Sequence, residues 1–386
     1  MTAPRILVLN AGSSTLKASL IELPDSTLAR AEIDWRIDDA TGPELAGAVS
    51  DVLRAVGVAT TADDANTADT GVRVDAVGHR VVHGGSSFTT ATRIDDSVVD
   101  GNASVADLAP LHNTVALETI EVARDLVRGV PHVASFDTAF HATLAPAAYR
   151  YPVPESWYRD WGIRRFGFHG LSVAWSVRRA AETLERDAGD LSIVVAHLGG
   201  GSSVTAVADG RSVDTSMGLT PLDGLMMGTR SGSIDPGIPL HLLDHGLATP
   251  AGIRDDLEHA SGLLGVSGIS GDMRTVQATA DAGDEAARLA VAMFVRSASA
   301  GIAAAATALP RLDALVFTGG IGEHAADVRR AIVARLGVLE LAPLPDADQV
   351  TDTPLISAPG DRIPILRIEA REDLVIAAET HEVSTA

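Results

Sequence analysis

The stretch "RILVLNAGSSTLKASLIEL" (5–23) decides the fold, because it joins two strands through a turn of small residues. "RILVLN" (5–10) is an apolar run that indicates a buried strand, and "SSTLKASLIEL" (13–23) alternates as a strand does. The glycine and serines between them predict a hairpin turn. The same pattern, an apolar strand, a turn of small residues and an alternating strand, recurs in "LSIVVAHLGGGSSVTAVADG" (191–210). Two such hairpins in one chain predict a duplicated fold with a hairpin in each lobe.

A third glycine turn leaves an apolar strand in "LDALVFTGGIGEHAADVRRAIVARLG" (312–337), and this one leads into a helix. The apolar spacing predicts further helices over 115–128, 172–186 and 284–308. Strand and helix signals alternate along the chain, which indicates an α/β fold with mixed sheets. We expect the lobe boundary near 137–155, just before a cluster of proline and aromatic residues.

The totals exclude several classes of protein. From a chain of 386 residues we expect two domains. A net charge of −21 disfavours nucleic acid and acidic membranes as partners. There is no cysteine, which excludes disulfides and Cys-ligated metals. The N-terminus does not resemble a signal peptide, and we expect no apolar run that approaches the ~20 residues of a membrane span. These features predict a cytoplasmic protein.

Lys17 is the only lysine, so 29 of the 30 basic residues counted as Lys+Arg are arginine. It is followed by Ala18 and therefore does not belong to a Walker A loop. A lysine is a compact point charge, which would suit a narrow hairpin mouth at a terminal phosphate better than the wide guanidinium. The alternative is that one lysine remains by chance in an arginine-rich composition.

The glycine turns and four polar residues are candidates for a site. Turns with exposed backbone N–H groups can bind phosphate, and three such turns in one chain favour a binding site for a nucleoside triphosphate. Arg80 lies between valines and needs an anion, which is either a ligand or a structural ion pair. Asp137 follows a strand, as either a functional carboxylate or a cap. Asn10 could orient hydrated Mg²⁺ or be a turn residue, and His169 could be functional or structural.

Eight motifs together carry a resemblance to the acetate kinase family. They are "NAGSSTLK", "GHRVVHGG", "FDTAFH", "RRFGFHG", "HLGGGSS", "PLDGLMMGTRSGSIDPG", "SGISGDMR" and "TGGIGE", in the family's order and over nearly the whole chain. The resemblance implies two ribonuclease-H-like lobes of the actin-like ATPase fold, with mixed sheets, flanking helices and a cleft between the lobes. It implies an N-terminal lobe, 1–145, completed by the C-terminal helix 371–386, and a C-terminal nucleotide-binding lobe, 146–370.

The resemblance also implies ligands for a metal and a nucleotide. Asn10 and Glu372 would serve Mg²⁺, with Mn²⁺ as the alternative metal, although Asp373 competes with Glu372 in a weak motif. The residues implied to contact ATP or ADP are Ser13, Thr15, Lys17, His197, Gly199, Gly200, Gly201, Asp272, Met273, Arg274, Gly320, Ile321, Gly322, Glu323 and His324.

A second group would handle the acyl substrate and the transfer. The implied catalytic residues are Asp137, His169 and Arg230; the last two would stabilise the transition state. For Asp137 we weigh acid chemistry and positioning equally. Arg80 would bind the carboxylate, and the residues implied to line the methyl pocket are Val82, Leu111, Phe168 and Pro221.

Two departures from the family concern the nucleotide. The chain has "HLGGG" where the family has His-Leu-Gly-Asn-Gly, so Gly200 lacks an amide that would contact phosphate. It has "GIGEH" where the family has Gly-Ile-Gly-Glu-Asn, which puts His324 at the adenosine edge. Both leave the preference for the phosphoryl donor open.

The implied reaction is that of a phosphotransferase with a carboxyl acceptor. The γ-phosphoryl group of ATP would pass reversibly and in line to acetate, with Mg²⁺, to give acetyl phosphate and ADP. The alternatives are a propionate or butyrate kinase and, in a different class, a nucleotide-gated ATPase or binding protein without transfer. Family members are typically homodimers, so we expect a homodimer with neither nucleic acid nor membrane as a partner.

Overall fold

The structure is a computed structural model that describes residues 3–12, 15–34, 42–60, 71–103, 110–345 and 354–386. Two compact units divide the chain. We call Met1–Ala142 together with Arg371–Ala386 unit 1, and Thr143–Ala370 unit 2. The C-terminal segment therefore belongs to the unit that the N-terminal residues begin.

Unit 1 is built on a six-stranded mixed sheet. Its strands are β1 (Arg5–Ala11), β2 (Thr15–Glu22), β3 (Ser26–Asp34), β4 (Ala76–Val81), β5 (Thr92–Arg93) and β6 (His132–Phe136). Their order is β3-β2-β1-β4-β6-β5. β1, β4 and β6 are parallel, whereas β2, β3 and β5 each pair antiparallel with a neighbour. The carboxyl ends of the three parallel strands consequently meet at one edge.

Unit 2 is built on a five-stranded mixed sheet. Its strands are β7 (Ser192–Leu198), β8 (Ser202–Ala208), β9 (Arg211–Thr215), β10 (Ala314–Thr318) and β11 (Ile365–Arg367), in the order β11-β10-β7-β8-β9. β7, β10 and β11 are parallel, and β8 pairs antiparallel with both β7 and β9. The central strands β7 and β10 are almost entirely apolar and buried, as expected for strands covered on both faces.

The helices follow the same division. Unit 1 contains α1 (Gly42–Ala55), α2 (Asp96–Ala103) and α3 (Pro110–Leu126). Those of unit 2 are α4 (Pro146–Tyr149), α5 (Glu155–Trp161), α6 (Gly170–Leu184), α7 (Gly237–Asp244), α8 (Pro250–His259), α9 (Gly262–Ser267), α10 (Met273–Asp281), α11 (Glu285–Ala306), α12 (Gly319–His324) and α13 (Ala326–Ala334). The last helix, α14 (Glu372–Thr385), returns to unit 1.

The two sheets repeat one topology. In each, a hairpin of antiparallel strands continues into a third antiparallel strand on one side and two parallel strands on the other. β3-β2-β1-β4-β6 in unit 1 thus corresponds to β9-β8-β7-β10-β11 in unit 2. The duplication predicted from the two hairpin sequences is confirmed.

The predicted helices are also found, with ends shifted by a few residues. The predictions 115–128 and 172–186 correspond to α3 and α6, and 284–308 corresponds to α11. The glycine turn predicted to open a helix within 312–337 opens the short α12, and α13 follows it directly.

Helix α11 corrects one expectation about apolar runs. Among the described residues, this helix is long and apolar enough to cross a membrane, judged by length and composition alone. Its buried residues, among them Phe294, Val295 and Ile302, belong to the hydrophobic core of unit 2 together with residues of β7, β8 and β10. α11 is therefore a partly buried core helix of unit 2, which explains its apolar composition.

Helix α14 lies on the face of the unit 1 sheet opposite α1 and α3. Leu7, Leu9 and Val77 belong to the core that α1 and α3 share with the sheet. Successive residues of a strand face opposite sides, so Gly78 faces the other way, toward Thr380 and Ile376 of α14. The absence of a side chain at Gly78 allows α14 to lie close to β4.

We predict that Gly78→Ala destabilises unit 1 by about 1–3 kcal/mol, because overpacking a close contact has that cost. The new Cβ would overlap Thr380 Oγ1 and lie 2.6 Å from Ile376 Cγ2. The matched control is Gly47→Ala in α1, where a Cβ meets nothing within 4 Å and should stabilise by roughly 0.5–1 kcal/mol. Urea unfolding midpoints measure both changes, and equal midpoints for the two variants would contradict the close packing of α14.

Candidate active site

A buried ion pair joins the carboxyl ends of β4 and β6. Arg80 lies one residue before the end of β4, and Asp137 directly follows β6. Arg80 Nε donates to Asp137 Oδ1 at 3.0 Å, and Arg80 Nη2 donates to Asp137 Oδ2 at 2.6 Å. Asp137 is 1% exposed, whereas the side chain of Arg80 is 19% exposed, so the pair is shielded from water mainly on the Asp137 side. The two guanidinium N–H bonds fix the plane of the Arg80 head group.

Two further side-chain oxygen atoms lie beside the same guanidinium. Arg80 Nη1 donates to Asn10 Oδ1 at 3.3 Å and lies 3.5 Å from Glu372 Oε2. Asn10 comes from the end of β1, which pairs with β4, and Glu372 is the first residue of α14. The parallel strands and α14 thus bring Asn10, Arg80, Asp137 and Glu372 together, although they are far apart in the sequence.

The charges of this cluster do not cancel. Two carboxylates surround one guanidinium, which leaves a formal charge of −1 when all three are ionised. Burial alone would lower the pKa of Arg80, but the charges of Asp137 and Glu372 outweigh it and raise that pKa. Burial raises the pKa of Glu372, and Arg80 only partly opposes this. An excess of negative charge in a buried place favours an additional cation.

The structure distinguishes Glu372 from Asp373. Asp373 Oδ1 accepts from Arg371 Nε at 2.9 Å, and its Oδ2 accepts from Arg371 Nη2 at 3.1 Å and from Arg30 Nη2 at 3.2 Å. Both oxygens of Asp373 are thus engaged by arginines, whereas Glu372 faces the Arg80 cluster. Of the two, Glu372 is the better placed to bind a metal.

The lone lysine is half-exposed on β2. Its ammonium forms an ion pair with Glu32 Oε1 at 3.3 Å, on the neighbouring strand β3. The charge of Lys17 also acts on Glu372, where it lowers the pKa against the larger effect of burial. Lys17 therefore belongs to the same electrostatic neighbourhood as the Arg80 cluster.

In unit 2, two histidines stack at the beginning of a glycine turn. His169 precedes α6 in the left-handed region, with φ of 59°, and its ring lies 4.1 Å from the ring of His197 at the end of β7. His169 Nδ1 is 3.0 Å from Ser203 Oγ, and His197 Nδ1 is 2.8 Å from Ser172 Oγ. The hydroxyls fix both ring orientations, which is a requirement for placing an Nε2 atom on a ligand.

In the glycine turn after β7, a Cβ would be tight at Gly201, in ordinary contact at Gly199 and in open space at Gly200. A Cβ on Gly201 would lie 3.2 Å from His169 Nε2 and 3.6 Å from Arg230 Nη1. One on Gly199 would lie 3.6 Å from Gly320 N, whereas one on Gly200 would meet nothing within 4 Å. His169 and Arg230 are thus both close to this turn. Burial lowers the pKa of Arg230, and Glu258 opposes this.

The residues implied for adenosine lie at the beginning of α10 and in α12. Asp272 is the N-cap of α10 and accepts from Arg274 N at 3.3 Å, Met273 is buried, and Arg274 is exposed. In α12, Glu323 Oε1 accepts from Ala370 N at 3.0 Å, and His324 is exposed. Asp272 and Glu323 therefore each bind backbone of the protein itself.

The residues implied for the methyl pocket divide between the two units. Val82 is buried in unit 1, and Phe168 is buried and Pro221 half-buried in unit 2. Leu111 lies in α3, but its side chain is outside the described part of the chain, as is the whole of Ser13. Thr15 begins β2.

Sequence reasoning missed the residues that support the site. Ser172 and Ser203 orient the two stacked histidines, and Arg371 and Arg30 engage Asp373. A signal was available for the serines, since Ser172 lies one helical turn after His169 and Ser203 lies two residues after the glycine turn. None was available for Arg30, which is 343 residues from Asp373 in sequence.

The sequence profile of the acetokinase family matches residues 5–378. The chain belongs to the acetokinase family. An acetate kinase of Deinococcus deserti is 44% identical, and the aligned region covers 98% of each chain. Acetokinases are phosphotransferases that act on a carboxyl group and use ATP, and this acetokinase is an enzyme of that class.

Solved structures support the fold of this acetokinase. The crystal structure of Porphyromonas gingivalis acetate kinase matches with a TM-score of 0.83 and 31% identity, over 99% of this chain and all of that one. A propionate kinase from Francisella tularensis matches with a TM-score of 0.86 and 34% identity, over 98% of this chain and all of that one. The prediction of an α/β fold of the actin-like ATPase type is confirmed.

Proposed function

We propose that this acetokinase transfers the γ-phosphoryl group of ATP reversibly to acetate, giving acetyl phosphate and ADP. The observation that carries the proposal is the Arg80 cluster, a partly buried guanidinium fixed between two carboxylates and a carboxamide oxygen. The identity of 44% with an acetate kinase over nearly the whole chain supports the same substrate.

Arg80 would bind the acetate carboxylate, and Asp137 would position Arg80. Both oxygens of Asp137 accept N–H bonds from Arg80 and hold its guanidinium in one plane. This bidentate contact favours positioning over acid chemistry as the role of Asp137. Acetate is itself ionised at neutral pH, so its attack needs no general base.

The groups of unit 2 would stabilise the phosphoryl group in transit. An acetate oxygen forms the new bond to the γ-phosphorus, and the bond from that phosphorus to the β,γ-bridging oxygen breaks, leaving ADP with the electron pair. Charge spreads over the equatorial oxygens during this step. His169 and Arg230, both near the glycine turn of Gly199–Gly201, are the groups that would bind those oxygens.

The donor set in unit 1 fits Mg²⁺. Asn10 and Glu372 offer hard oxygen atoms beside Arg80, in a cluster with excess negative charge. Among the described residues, no group of three or more His, Asp and Glu side chains could hold a metal ion. Mg²⁺ commonly takes one or two protein ligands and completes its shell with phosphate and water. When bound, it would offset the charge of the transferred phosphoryl group; Mn²⁺ could replace it.

A propionate kinase is the second candidate, favoured by the similarity to the Francisella tularensis enzyme. One methylene changes discrimination in an apolar pocket by only ~1–3 kcal/mol. Val82, Leu111, Phe168 and Pro221 would line the pocket for the acyl chain. Valine and proline leave little room beyond a methyl group, so we favour acetate.

We propose a homodimer, with unit 2 contributing to the contact. Residues 233–247 are almost entirely exposed, and their large exposed apolar side chains are Ile234, Ile238, Leu240, Leu243 and Leu247. Exposed apolar clusters of this kind mark protein contacts. Light scattering on the purified chain distinguishes one copy from two.

We predict that the chain forms acetyl phosphate from ATP and acetate, trapped by hydroxylamine as the hydroxamate. The value of kcat/KM should fall by about 10-fold or more from acetate to propionate and again to butyrate. ATP hydrolysis that is independent of acetate, with no hydroxamate, would instead indicate a nucleotide-gated ATPase, and a maximum at propionate would favour the second candidate.

We predict that Arg230→Ala lowers kcat by about 10³-fold or more, as loss of an arginine finger does. The matched control is Arg254→Ala, an exposed arginine on α8 of the same unit, which should keep kcat within about twofold. Initial rates at saturating ATP and acetate measure both variants. A loss of tenfold or less for Arg230→Ala would rule out its role at the phosphoryl group.

We predict that Glu372→Gln lowers the apparent affinity for Mg²⁺ by about 10-fold or more, because it removes a charged ligand. Asp373→Asn is the matched control, since the Asp373 oxygens are engaged by Arg371 and Arg30. Rates measured against Mg²⁺ concentration at fixed ATP give the apparent affinity. The reverse order of effects would assign the metal to Asp373.

A further inference from the structure

Among the fully buried side chains of the described residues, that of Arg329 is the largest, at 1% exposure. It lies in α13 among Val328, Ile332 and Val333, which belong to the apolar core of unit 2. A guanidinium stays charged even when buried, and burying it is costly unless it is hydrogen-bonded. The proposed reaction assigns it no role, so its position needs another explanation.

The guanidinium binds the backbone of the neighbouring short helix. Arg329 Nη1 donates to Gly322 O at 2.7 Å, and Gly322 lies in α12. The last carbonyls of any helix lack partners within it. Ala325 N donates to Ile321 O. Gly322 O accepts instead from the side chain of Arg329, which lies seven residues later in the sequence. Arg329 therefore caps the C-terminal end of α12 with a cation.

Helix α12 has little else of its own to hold its shape. Its N-cap, Thr318, makes no side-chain cap, and within the described part of the chain the buried Thr318 Oγ1 has no hydrogen-bond partner. Three of its six residues are glycine, and Gly319 has φ of 77°. A further side-chain contact of α12 within the described residues is that of Glu323, which accepts from Ala370 N. Charged side chains bonded to backbone thus fix a segment with weak helical preference.

The position of α12 matters for the glycine turn after β7. A Cβ on Gly319 would lie 3.0 Å from His197 Nε2, and one on Gly199 would lie 3.6 Å from Gly320 N. The two glycine segments are therefore nearly in contact, and a small shift of α12 would change the space between them. Any nucleotide bound by both segments would experience that shift.

We propose that Arg329 is a positioning residue for the nucleotide, acting through the carbonyl of Gly322 to hold α12 in its binding conformation. The proposal rests on the proposed function, because the nucleotide is bound at α12 only if that function is correct. Arg329 does not touch the nucleotide; it sets the position of the backbone that does. Its loss should weaken nucleotide binding more than it slows the transfer.

The test compares Arg329→Met with Arg330→Met in the full chain. Methionine fills much of the same volume without the charge, and it leaves the carbonyl of Gly322 without this hydrogen bond. Arg330 is the next residue of α13, and its ion pair with Asp327 lies outside the buried core. Arg329→Lys keeps the cation and one donor, so it should recover part of the effect and serves as the conservative variant if the methionine variant does not fold.

We expect Arg329→Met to raise the Kd for ADP, measured by calorimetry, and the KM for ATP by about 10-fold or more. The KM for acetate should stay within about twofold, and kcat within about threefold. Hydrogen exchange of the amides of 319–324 should accelerate in this variant and not in Arg330→Met. Arg329→Lys should lie between the wild type and Arg329→Met in both Kd and exchange.

Three outcomes would count against the inference. An unchanged Kd for ADP in a folded Arg329→Met protein overturns it, as does an equal effect of Arg330→Met. A lower kcat at unchanged nucleotide KM would indicate a purely structural role and also overturns it. Failure of the wild-type chain to bind ADP or to form hydroxamate instead removes the proposed function itself, and the two failures are therefore distinguishable.

Discussion

The bidentate pair between Arg80 and Asp137 is the interaction on which the unit 1 site depends. Asp137 is buried and Arg80 is partly buried, and removing one partner would leave the other charge without its counter-charge, which is strongly destabilising. The pair forms because β4 and β6 are parallel neighbours, so that their carboxyl ends coincide. Glu372 and Asn10 then add oxygen atoms around a guanidinium whose plane Asp137 has already fixed. The result is a site that favours cations beside a fixed cation, which suits a reaction between two anions.

Unit 2 handles charge in a different way. Its candidate groups are glycine backbone, two stacked histidines with oriented rings, and the half-buried Arg230, whose pKa burial lowers. Small residues allow neighbouring groups to approach closely, and several charged side chains around them bond to the backbone. Asp272, Glu323 and Arg329 illustrate this, since each is charged and each bonds to the protein's own main chain. The acidic composition of the chain is therefore compatible with an anionic substrate, because local donors and not net charge face the site.

Some elements and site residues could be predicted from the sequence, and others could not. The hairpins, the helices α3, α6 and α11, and the residues Arg80 and Asp137 at strand ends follow from local patterns, because apolar periodicity and turn residues report directly on local structure. The choice between Glu372 and Asp373 did not follow. Both are acidic residues at the beginning of the same helix, and only the distant Arg30 and the adjacent Arg371 distinguish them. The part played by Lys17 also remained open, since its ion pair with Glu32 depends on strand pairing.

By itself, the sequence determined the family, the α/β class, the duplication and the residue types of the site, because these are encoded in motifs and in short-range periodicity. The tertiary structure decided which charges meet: Arg80 with Asp137 and Glu372, the histidine rings with Ser172 and Ser203, and Arg329 with the carbonyl of Gly322. Side chains carry no mark in the sequence of the partner that they will find across a sheet or from another helix. Those pairings exist only once strand order, register and helix packing have been fixed.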